Sequence, residues 1–208
     1  MDKLSAHSVL TDAHSQNVTQ TKAFQFDIGG LAIEELLLKG MVRLQSQITD
    51  EELSDRLGLS MMSLPKAGEF TVVGNVGANS SGRAVTMRCL WLRPHEWLLV
   101  TPAGDEEVVK NALVQALAGI HALVTVITDS RLALAISGPS VAELLSKGCA
   151  LDLHRSQFVV GQCASTRFAK IAAVVTRISD CRYELYVDRS HGRYLWEWLV
   201  DAAAEFEP

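Results

Sequence analysis

The 208-residue sequence has only four cysteines, and no two of them are close together in the sequence. They stand singly at positions 89, 149, 163 and 181, without a Cys-x-x-Cys motif. This spacing favours reduced thiols over a disulfide framework. Cys149, His154 and Cys163 could be considered as metal ligands, but they match no zinc pattern and lack a fourth ligand. We therefore expect no metal site, and we interpret the cysteines as small buried side chains.

The chain also lacks a basic region and a long apolar run. Nineteen Lys and Arg residues stand against 24 Asp and Glu, for a net charge of −5, and no cluster of basic residues occurs. Nucleic acid and anionic membrane surfaces are therefore not expected partners. No segment approaches the roughly 18 apolar residues of a membrane span. The polar first residues lack the apolar core of a signal peptide, so we expect a cytoplasmic protein.

The common catalytic motifs are missing as well. There is no G-x-S-x-G, no H-E-x-x-H, and no G-x-G-x-x-G after a strand. Asp188, Ser190 and His191 are close in sequence, but a polar turn before the last helix explains them better than a triad. Acidic clusters at 50–55 and 105–107 lie at predicted helix starts, where the helix dipole favours them; paired catalytic carboxylates are the alternative. We expect no catalytic and no cofactor-binding residue in this chain.

What is present is an ordinary globular composition, with 48% hydrophobic residues, 14 Gly and 5 Pro. Residues 1–30 are polar and predict a flexible N-terminal arm, and residues 31–208 predict a single α+β region. Within it, residues 31–40 are apolar and favour a helix or irregular structure. Thr49 followed by Glu52 is a capping box, which predicts a short helix over 49–60.

Alternating apolar residues predict the strands, and helical spacing predicts the helices. The Gly/Ser/Asn-rich segment 74–83 predicts a hairpin loop, with a ligand-binding loop as the alternative. From residue 96 to about 169 the order is strand, helix, strand, strand, helix, strand, which is the ferredoxin-like order. We therefore predict an α+β fold of ferredoxin-like βαββαβ units that share a mostly antiparallel sheet. The predicted strands are 70–74, 84–92, 96–101, 122–128, 131–137, 163–170, 171–178 and 182–188, and the predicted helices are 105–117, one that starts at Pro139, and 190–204.

The last predicted helix carries two apolar stripes. Tyr194, Leu195, Trp198, Leu199 and Ala202 share one arc, which we expect to pack on the sheet. Trp196, Val200 and Ala203 form a second stripe roughly opposite, and an exposed tryptophan is typical of a binding surface. We interpret this second stripe as a partner interface. The alternative is that the arm or the 31–40 segment covers it within the same chain.

Several ordered segments resemble the gamma subunit of heterotetrameric sarcosine oxidase. The resemblance covers roughly residues 70–206, about two thirds of the chain. It is carried by a set of short pieces in a fixed order: Ser137-Gly138-Pro139, the run from Asp152 to Phe158, Gly161 with Thr166, Arg189-Ser190, and the run from Tyr194 to Leu199.

The resemblance implies a non-catalytic structural subunit with alpha, beta and delta subunits as partners. Such a complex demethylates sarcosine oxidatively to glycine and hydrogen peroxide, and tetrahydrofolate accepts the one-carbon unit as 5,10-methylenetetrahydrofolate. It implies FAD, FMN, NAD and zinc on the other subunits and none on this chain. It also implies a fold similar to the folate-binding domain of aminomethyltransferases. The alternative function is that of a stand-alone folate-binding, aminomethyltransferase-like protein.

Overall fold

Two antiparallel sheets contain the strands of the protein, in a computed structural model that describes residues 24–37, 39–49, 52, 55–56, 65–73 and 78–207. Three α-helices are described over their whole length: α1 (Glu106–Ala116), α2 (Val141–Ser146) and α3 (Gly192–Ala203). The strands are β1 (Gln25–Ile28), β2 (Leu31–Glu35), β3 (Lys39–Ser46), β4 (Phe70–Val73), β5 (Met87–Arg93), β6 (Glu96–Pro102), β7 (Ala122–Val126), β8 (Arg131–Ser137), β9 (Cys163–Phe168), β10 (Ile171–Ser179) and β11 (Arg182–Asp188).

The chain divides into two units. The middle unit comprises residues 39–128 and 161–164, and the terminal unit comprises the residues up to 38, 129–160 and those from 165 onward. The terminal unit is therefore discontinuous in sequence, because the middle unit is inserted into it.

The middle unit has a five-stranded sheet with the order β4-β5-β6-β3-β7. Strand β6 lies between β3 and β5, and β7 follows α1 to pair with β3 on its other side. This is the split arrangement of a ferredoxin-like unit, with β4 as an additional strand. A buried apolar cluster joins the sheet to α1; it includes Val42, Met87, Trp97, Leu99, Val109 and Leu113.

The terminal unit repeats the plan with one strand taken from the other end of the sequence. Its sheet has the order β1-β2-β8-β11-β10-β9. Along the chain, β8, α2, β10, β11 and α3 have the order of a ferredoxin-like unit, and β11 lies between β8 and β10 in the sheet. The place of the last strand, beside β8, is filled by β2, which precedes β8, β10 and β11 in the chain.

The predicted α+β class with antiparallel sheets is confirmed, but the predicted grouping of strands into one shared sheet is wrong. The order over 96–169 does exist, yet β6 and β7 belong to one sheet and β8 and β9 to the other. The reason is that β3 and β2 are the pairing partners of β7 and β8. Both arise from the segment 31–46, whose first ten residues we expected to be helical or irregular.

The hairpin of β1 and β2 corrects two predictions about the N-terminal residues that the structure describes. The described part of the expected arm contains β1, which pairs with β2 from Gln25–Glu34 to Ile28–Leu31. Residues 31–35 form β2 and residues 39–40 begin β3. In β2 the alternate side chains Leu31 and Ile33 are buried, which is strand periodicity. Residues 1–23 lie outside the described residues. The prediction that residues 31–208 are a single region stays a prediction.

The remaining strands and helices lie close to their predicted positions. Antiparallel pairing of β4 with β5 confirms the hairpin around the segment 74–83, of which 78–83 is described. The capping bond also forms, since the Glu52 amide donates to Thr49 Oγ1 over 3.2 Å. Glu52 and residues 55–56 are helical, and the rest of that predicted helix lies outside the described residues.

Gly148 lies at a closely packed site in the terminal unit. It follows α2 and faces two aromatic rings that meet edge to face, Phe168 and Trp198, whose centroids are 5.1 Å apart. A Cβ atom at Gly148 would lie 2.7 Å from Trp198 Cη2 and 3.0 Å from the Phe168 ring. Only a residue without a side chain fits this position.

We expect Gly148→Ala to lower the free energy of unfolding by about 1–3 kcal/mol, because the new methyl group forces two rigid rings apart. Denaturant unfolding of the purified chain measures the change. Trp198→Leu serves as the background control, since without the indole the added methyl group should cost much less. Equal losses from Gly148→Ala in both backgrounds would contradict this account.

Candidate partner interface

Helix α3 presents its strongest apolar face to the sheet of the terminal unit. Leu195 and Leu199 are fully buried, and Ala202 is largely so. Trp198 is half-buried and packs edge to face on Phe168. This face anchors the helix, so the surface that remains for a partner lies on the opposite side.

The residues of the second stripe, which the sequence analysis interprets as a partner interface, have two different environments. Trp196 and Val200 are half-buried, whereas Ala203 has no exposed surface. Ala203 is therefore corrected as an interface residue, because a side chain enclosed within the chain has no surface to offer. Trp196 and Val200 remain candidates.

An aromatic residue at the start of the N-terminal hairpin contacts Trp196. The rings of Phe24 and Trp196 meet edge to face, with centroids 5.8 Å apart and an interplanar angle of 78°. Such pairs contribute about 0.5–1.5 kcal/mol beyond their burial. Phe24 therefore covers part of Trp196, in line with the alternative that the N-terminal arm covers the second stripe. The rest of the Trp196 indole stays exposed.

Tyr194 departs from its predicted position on the sheet face. It is 45% exposed, and its hydroxyl donates to the carbonyl oxygen of Ala169 over 2.9 Å. Ala169 and Lys170 form the two-residue turn between β9 and β10, and both have positive φ. Tyr194 thus supports a strained hairpin turn while its ring stays at the edge of the helix, next to the candidate surface.

The end of α3 is held by one lysine. Lys147 donates to the carbonyl oxygen of Ala202 over 3.1 Å and pairs with Glu205 over 2.7 Å. Its ammonium group also lies 4.5 Å from the centre of the Phe206 ring. A cation at a helix C-terminus stabilises the helix through its dipole. These contacts orient the last turn of α3, which contains Val200.

A groove of about 650 Å³ opens elsewhere in the terminal unit. Arg177 and Tyr183, both almost completely buried, form part of its wall. The Arg177 guanidinium donates to the carbonyl oxygen of Phe158 over 2.6 Å and pairs with Asp180 over 3.1 Å. Burial raises the pKa of Tyr183, which keeps its hydroxyl protonated. Arg177 was not singled out from sequence, although an arginine inside the apolar run of β10 is a signal of a specific buried role.

In the middle unit, a buried carboxylate is held by two arginines. Arg43 Nε lies 2.6 Å from Glu96 Oε1, and Arg93 pairs with Glu96 Oε2. Burial raises the pKa of Glu96, but the hydrogen bonds and charges of Arg43 and Arg93 outweigh it, so the pKa lies below its ordinary value. Glu96 is therefore ionised at neutral pH and serves to join β3 to the β5–β6 turn.

The carboxylates of the acidic cluster at 105–107 are engaged within the chain. Asp105 is buried and accepts hydrogen bonds from Asn79 over 3.2 Å and Arg83 over 3.1 Å. Glu106 accepts from the Gly104 amide, and Glu107 pairs with Lys110. Each carboxylate has a partner of its own.

The contacts of Asp105 also anchor the glycine-rich loop, of which residues 78–83 are described. Asn79 and Arg83 both belong to that loop, so two of its side chains anchor it to the start of α1. The hairpin interpretation of segment 74–83 agrees with this anchoring in the described part, 78–83.

The other candidate sets are similarly engaged. Asp188 pairs with Arg131 over 3.2 Å, which occupies the carboxylate of the sequence cluster at 188–191. Cys149 Sγ lies 3.8 Å from Thr166 Oγ1, and His154 Nδ1 lies 2.8 Å from Ser156 Oγ. In the part of the chain that the structure describes, no three His, Cys, Asp or Glu residues are grouped to hold a metal ion. The same part contains no helix with the length and hydropathy needed to cross a membrane.

The family model of the sarcosine oxidase gamma subunit matches residues 70–205 of this chain. The chain belongs to the sarcosine oxidase gamma subunit family. The matched range includes the whole of α3 and begins with β4, so it covers the candidate interface but not the N-terminal hairpin that contacts it. The resemblance inferred from short motifs is thereby confirmed.

Individual members of the gamma subunit family show the same relation. The sarcosine oxidase subunit gamma of Corynebacterium sp. (strain U-96) is 32% identical over 134 residues, which are 64% of this chain and 62% of that relative. That of strain P-1 is 33% identical over 134 residues, with 64% and 63% covered. The chain thus spans somewhat less than two thirds of the length of these curated relatives. An aminomethyltransferase of Streptomyces avermitilis is 27% identical over 184 residues, 74% of this chain and 49% of the relative.

Solved structures show that the fold is shared. A chain of the heterotetrameric sarcosine oxidase from Corynebacterium sp. U-96 has a TM-score of 0.72 at 24% identity, with 86% of both chains covered. The glycine cleavage system aminomethyltransferase T from Bartonella henselae has a TM-score of 0.58 at 18% identity, with 86% of this chain and 45% of that chain covered. The predicted similarity to the aminomethyltransferase fold is confirmed.

The environments of the cysteines predict a clear order of thiol reactivity. Burial raises the pKa of the Cys163 thiol to about 12, and this thiol lies 3.1 Å from the carbonyl oxygen of Glu69. The native chain should therefore show one rapidly reacting thiol, Cys181, which is the exposed one, and slow reaction at Cys89, Cys149 and Cys163. Titration with a chromogenic disulfide reagent near pH 8 measures this. Cys181→Ser should remove the rapid phase, and a rapid phase that survives would contradict the assignment.

Proposed function

We propose that this chain is a non-catalytic structural subunit, the gamma subunit, of a heterotetrameric sarcosine oxidase. The observation that carries the proposal is the family match over residues 70–205, which spans both units of the fold. The Corynebacterium gamma subunits, at 32–33% identity, support it.

The proposed complex demethylates sarcosine oxidatively to glycine and hydrogen peroxide. Tetrahydrofolate accepts the one-carbon unit as 5,10-methylenetetrahydrofolate. In this proposal the alpha, beta and delta subunits are the partners and carry FAD, FMN, NAD and zinc, and the complex is cytoplasmic. This chain contributes a rigid surface on which a partner is held.

The way in which buried polar groups are used supports a scaffold role. Arg177 donates to the carbonyl oxygens of Arg155 and Phe158 and so holds the turn at 155–158. Glu96 joins strands through two arginines, and Cys163 faces backbone carbonyls. Each of these groups could take part in chemistry if it were free. Each instead makes a bond that orders the protein itself.

The candidate contact on the partner side is the exposed part of α3. Trp196 and Val200 are half-buried, and Tyr194 is 45% exposed beside them. Tryptophan and tyrosine are enriched among the residues that dominate binding energy. Because Leu195 and Leu199 anchor the helix from below, this surface needs little rearrangement before it binds.

Co-expression with the alpha, beta and delta subunits tests this function. The chain should co-purify with them, and Trp196→Asp should weaken the assembly by about tenfold or more, as expected for an interface hot spot. Val160→Asp is the matched control, since Val160 is 50% exposed in the same unit but lies outside α3. Thermal unfolding of the free variants separates lost binding from lost folding, because Trp196 also packs on Phe24.

One result would contradict the proposed function, and another would contradict only the assignment of α3 as the interface. A stable chain that ignores all three subunits would overturn the proposed function. Equal weakening by Trp196→Asp and Val160→Asp would leave the function in place but remove α3 as the interface.

A second candidate is a stand-alone folate-binding, aminomethyltransferase-like protein. It is favoured by the Streptomyces aminomethyltransferase, whose match extends over 74% of this chain, and by the groove of about 650 Å³. Calorimetry with tetrahydrofolate on the isolated chain distinguishes the two. We expect no saturable binding; saturable binding with one-carbon turnover would favour the second candidate.

A further inference from the structure

The outer strands of the two sheets differ in how they are protected from pairing with another chain. Natural edge strands are commonly blunted by charge, shortness, bulges or a covering segment. β1 carries Asp27 and β9 carries Arg167. The beginning of β4 is covered, because Phe70 donates to the Gly161 carbonyl oxygen over 2.8 Å and Cys163 donates to that of Gly68.

Strand β7 lacks charge and a bulge, and no segment among the described residues covers its outer edge. Its sequence, Ala-Leu-Val-Thr-Val, contains no charge and no proline. Its pairing with β3 runs without a bulge from Val42–Val126 to Ser46–Ala122. It is the last strand of the middle unit's sheet. An unprotected edge of this kind is an exposed template for another strand.

The register shows which backbone groups of β7 face outward. The Ile127 amide donates to the Met41 carbonyl oxygen over 2.8 Å, so this opposed pair is hydrogen-bonded. Hydrogen-bonded and non-hydrogen-bonded pairs alternate along an antiparallel ladder. Leu123 and Thr125 therefore bond to β3, whereas the N–H and C=O groups of the alternate residues point away from it. Among the described residues, none bonds to these outward groups, which belong to Ala122, Val124 and Val126.

The side chains of β7 also leave apolar surface to cover. Ala122, Val124 and Val126 are only half-buried, although they pack on the core cluster of the middle unit. Leu123 points to the other face and is 59% exposed. A strand added beside β7 would gain three pairs of backbone bonds and would cover apolar side chains on both faces.

We propose that an extended segment of a partner subunit adds to β7 as a sixth strand of this sheet. The occupant is an extended chain because the unpaired groups are backbone donors and acceptors at strand spacing. Its side chains are apolar on the α1 side, where Val124 and Val126 need cover. The inference rests on the proposed function, since that function places the chain in an assembly of different subunits.

Amide hydrogen exchange on the free chain and on the co-expressed four-subunit complex tests the docking mode. In the free chain, the amides of Ala122, Val124 and Val126 should exchange quickly, and those of Leu123 and Thr125 slowly. In the complex, the three fast amides should slow by about tenfold or more, and the two slow ones should change little. This alternation distinguishes strand addition from burial of a side-chain surface.

Two variants and one matched control test the contribution to assembly. Ala122→Pro removes an outward N–H without breaking a bond to β3, at a strand start where proline is tolerated. Leu123→Lys adds the charge that natural edges use against pairing. Each should weaken the complex by about tenfold, as for a lost hydrogen bond or apolar contact. Val114→Lys, at a 53% exposed position on α1, should leave binding unchanged.

The outcomes separate this inference from the proposed function. If the complex forms but the three amides remain fast, strand addition is wrong and the proposed function stands. If no complex forms, both are wrong. If the free chain dimerises with the three amides protected, a second copy occupies the edge and the partner strand is wrong. If all three lysine and proline variants weaken binding equally, the edge has no special role.

Discussion

Strand β2 pairs with β8 and thereby completes the six-stranded sheet of the terminal unit. The register runs from Ala32–Ser137 to Glu35–Leu134, and the Leu36 amide continues it by donating to the Ala133 carbonyl oxygen over 2.8 Å. The approach is so close that a Cβ at Gly138 would lie 2.3 Å from the Gly30 carbonyl oxygen. Without β2, strand β8 would be an edge strand, and the ferredoxin-like arrangement of the terminal unit would lack the last of its four strands.

The candidate interface depends on the same pairing. The hairpin of β1 and β2 places Phe24 against Trp196, and the β1–β2 turn brings Gly29 against the backbone of Phe206. Phe206 in turn contacts Lys147, which holds the last turn of α3. The N-terminal hairpin therefore covers part of Trp196 near the start of α3. Through Phe206 and Lys147 it also helps to position the last turn of the helix. A surface ordered in this way is suited to binding a partner at small entropic cost.

Sequence patterns found most of the fold because most of its elements have clear periodicity. Leu132, Leu134 and Ile136 alternate in β8, and Tyr183, Leu185 and Val187 alternate in β11. Residues 31–46 misled the prediction, since the apolar run Leu36–Leu37–Leu38 follows β2 directly and hides the alternation of Leu31 and Ile33. Of the three predicted interface residues, Trp196 and Val200 retain exposed surface and Ala203 does not, and the interface itself stays a prediction. Helical spacing identifies a stripe, but it does not tell which of its members another segment encloses.

The sequence by itself determined the α+β class, the helix and strand positions after residue 70, and the family, because these depend on local periodicity and on ordered short motifs. Only the tertiary structure decided which strands pair, because pairing depends on contacts between residues far apart in the chain, such as Ala32 with Ser137. It likewise decided that Cys163 is buried against carbonyls and that Glu96 meets two arginines. The open edge of β7 belongs to the same group, since an edge exists only once the order of strands in a sheet is known.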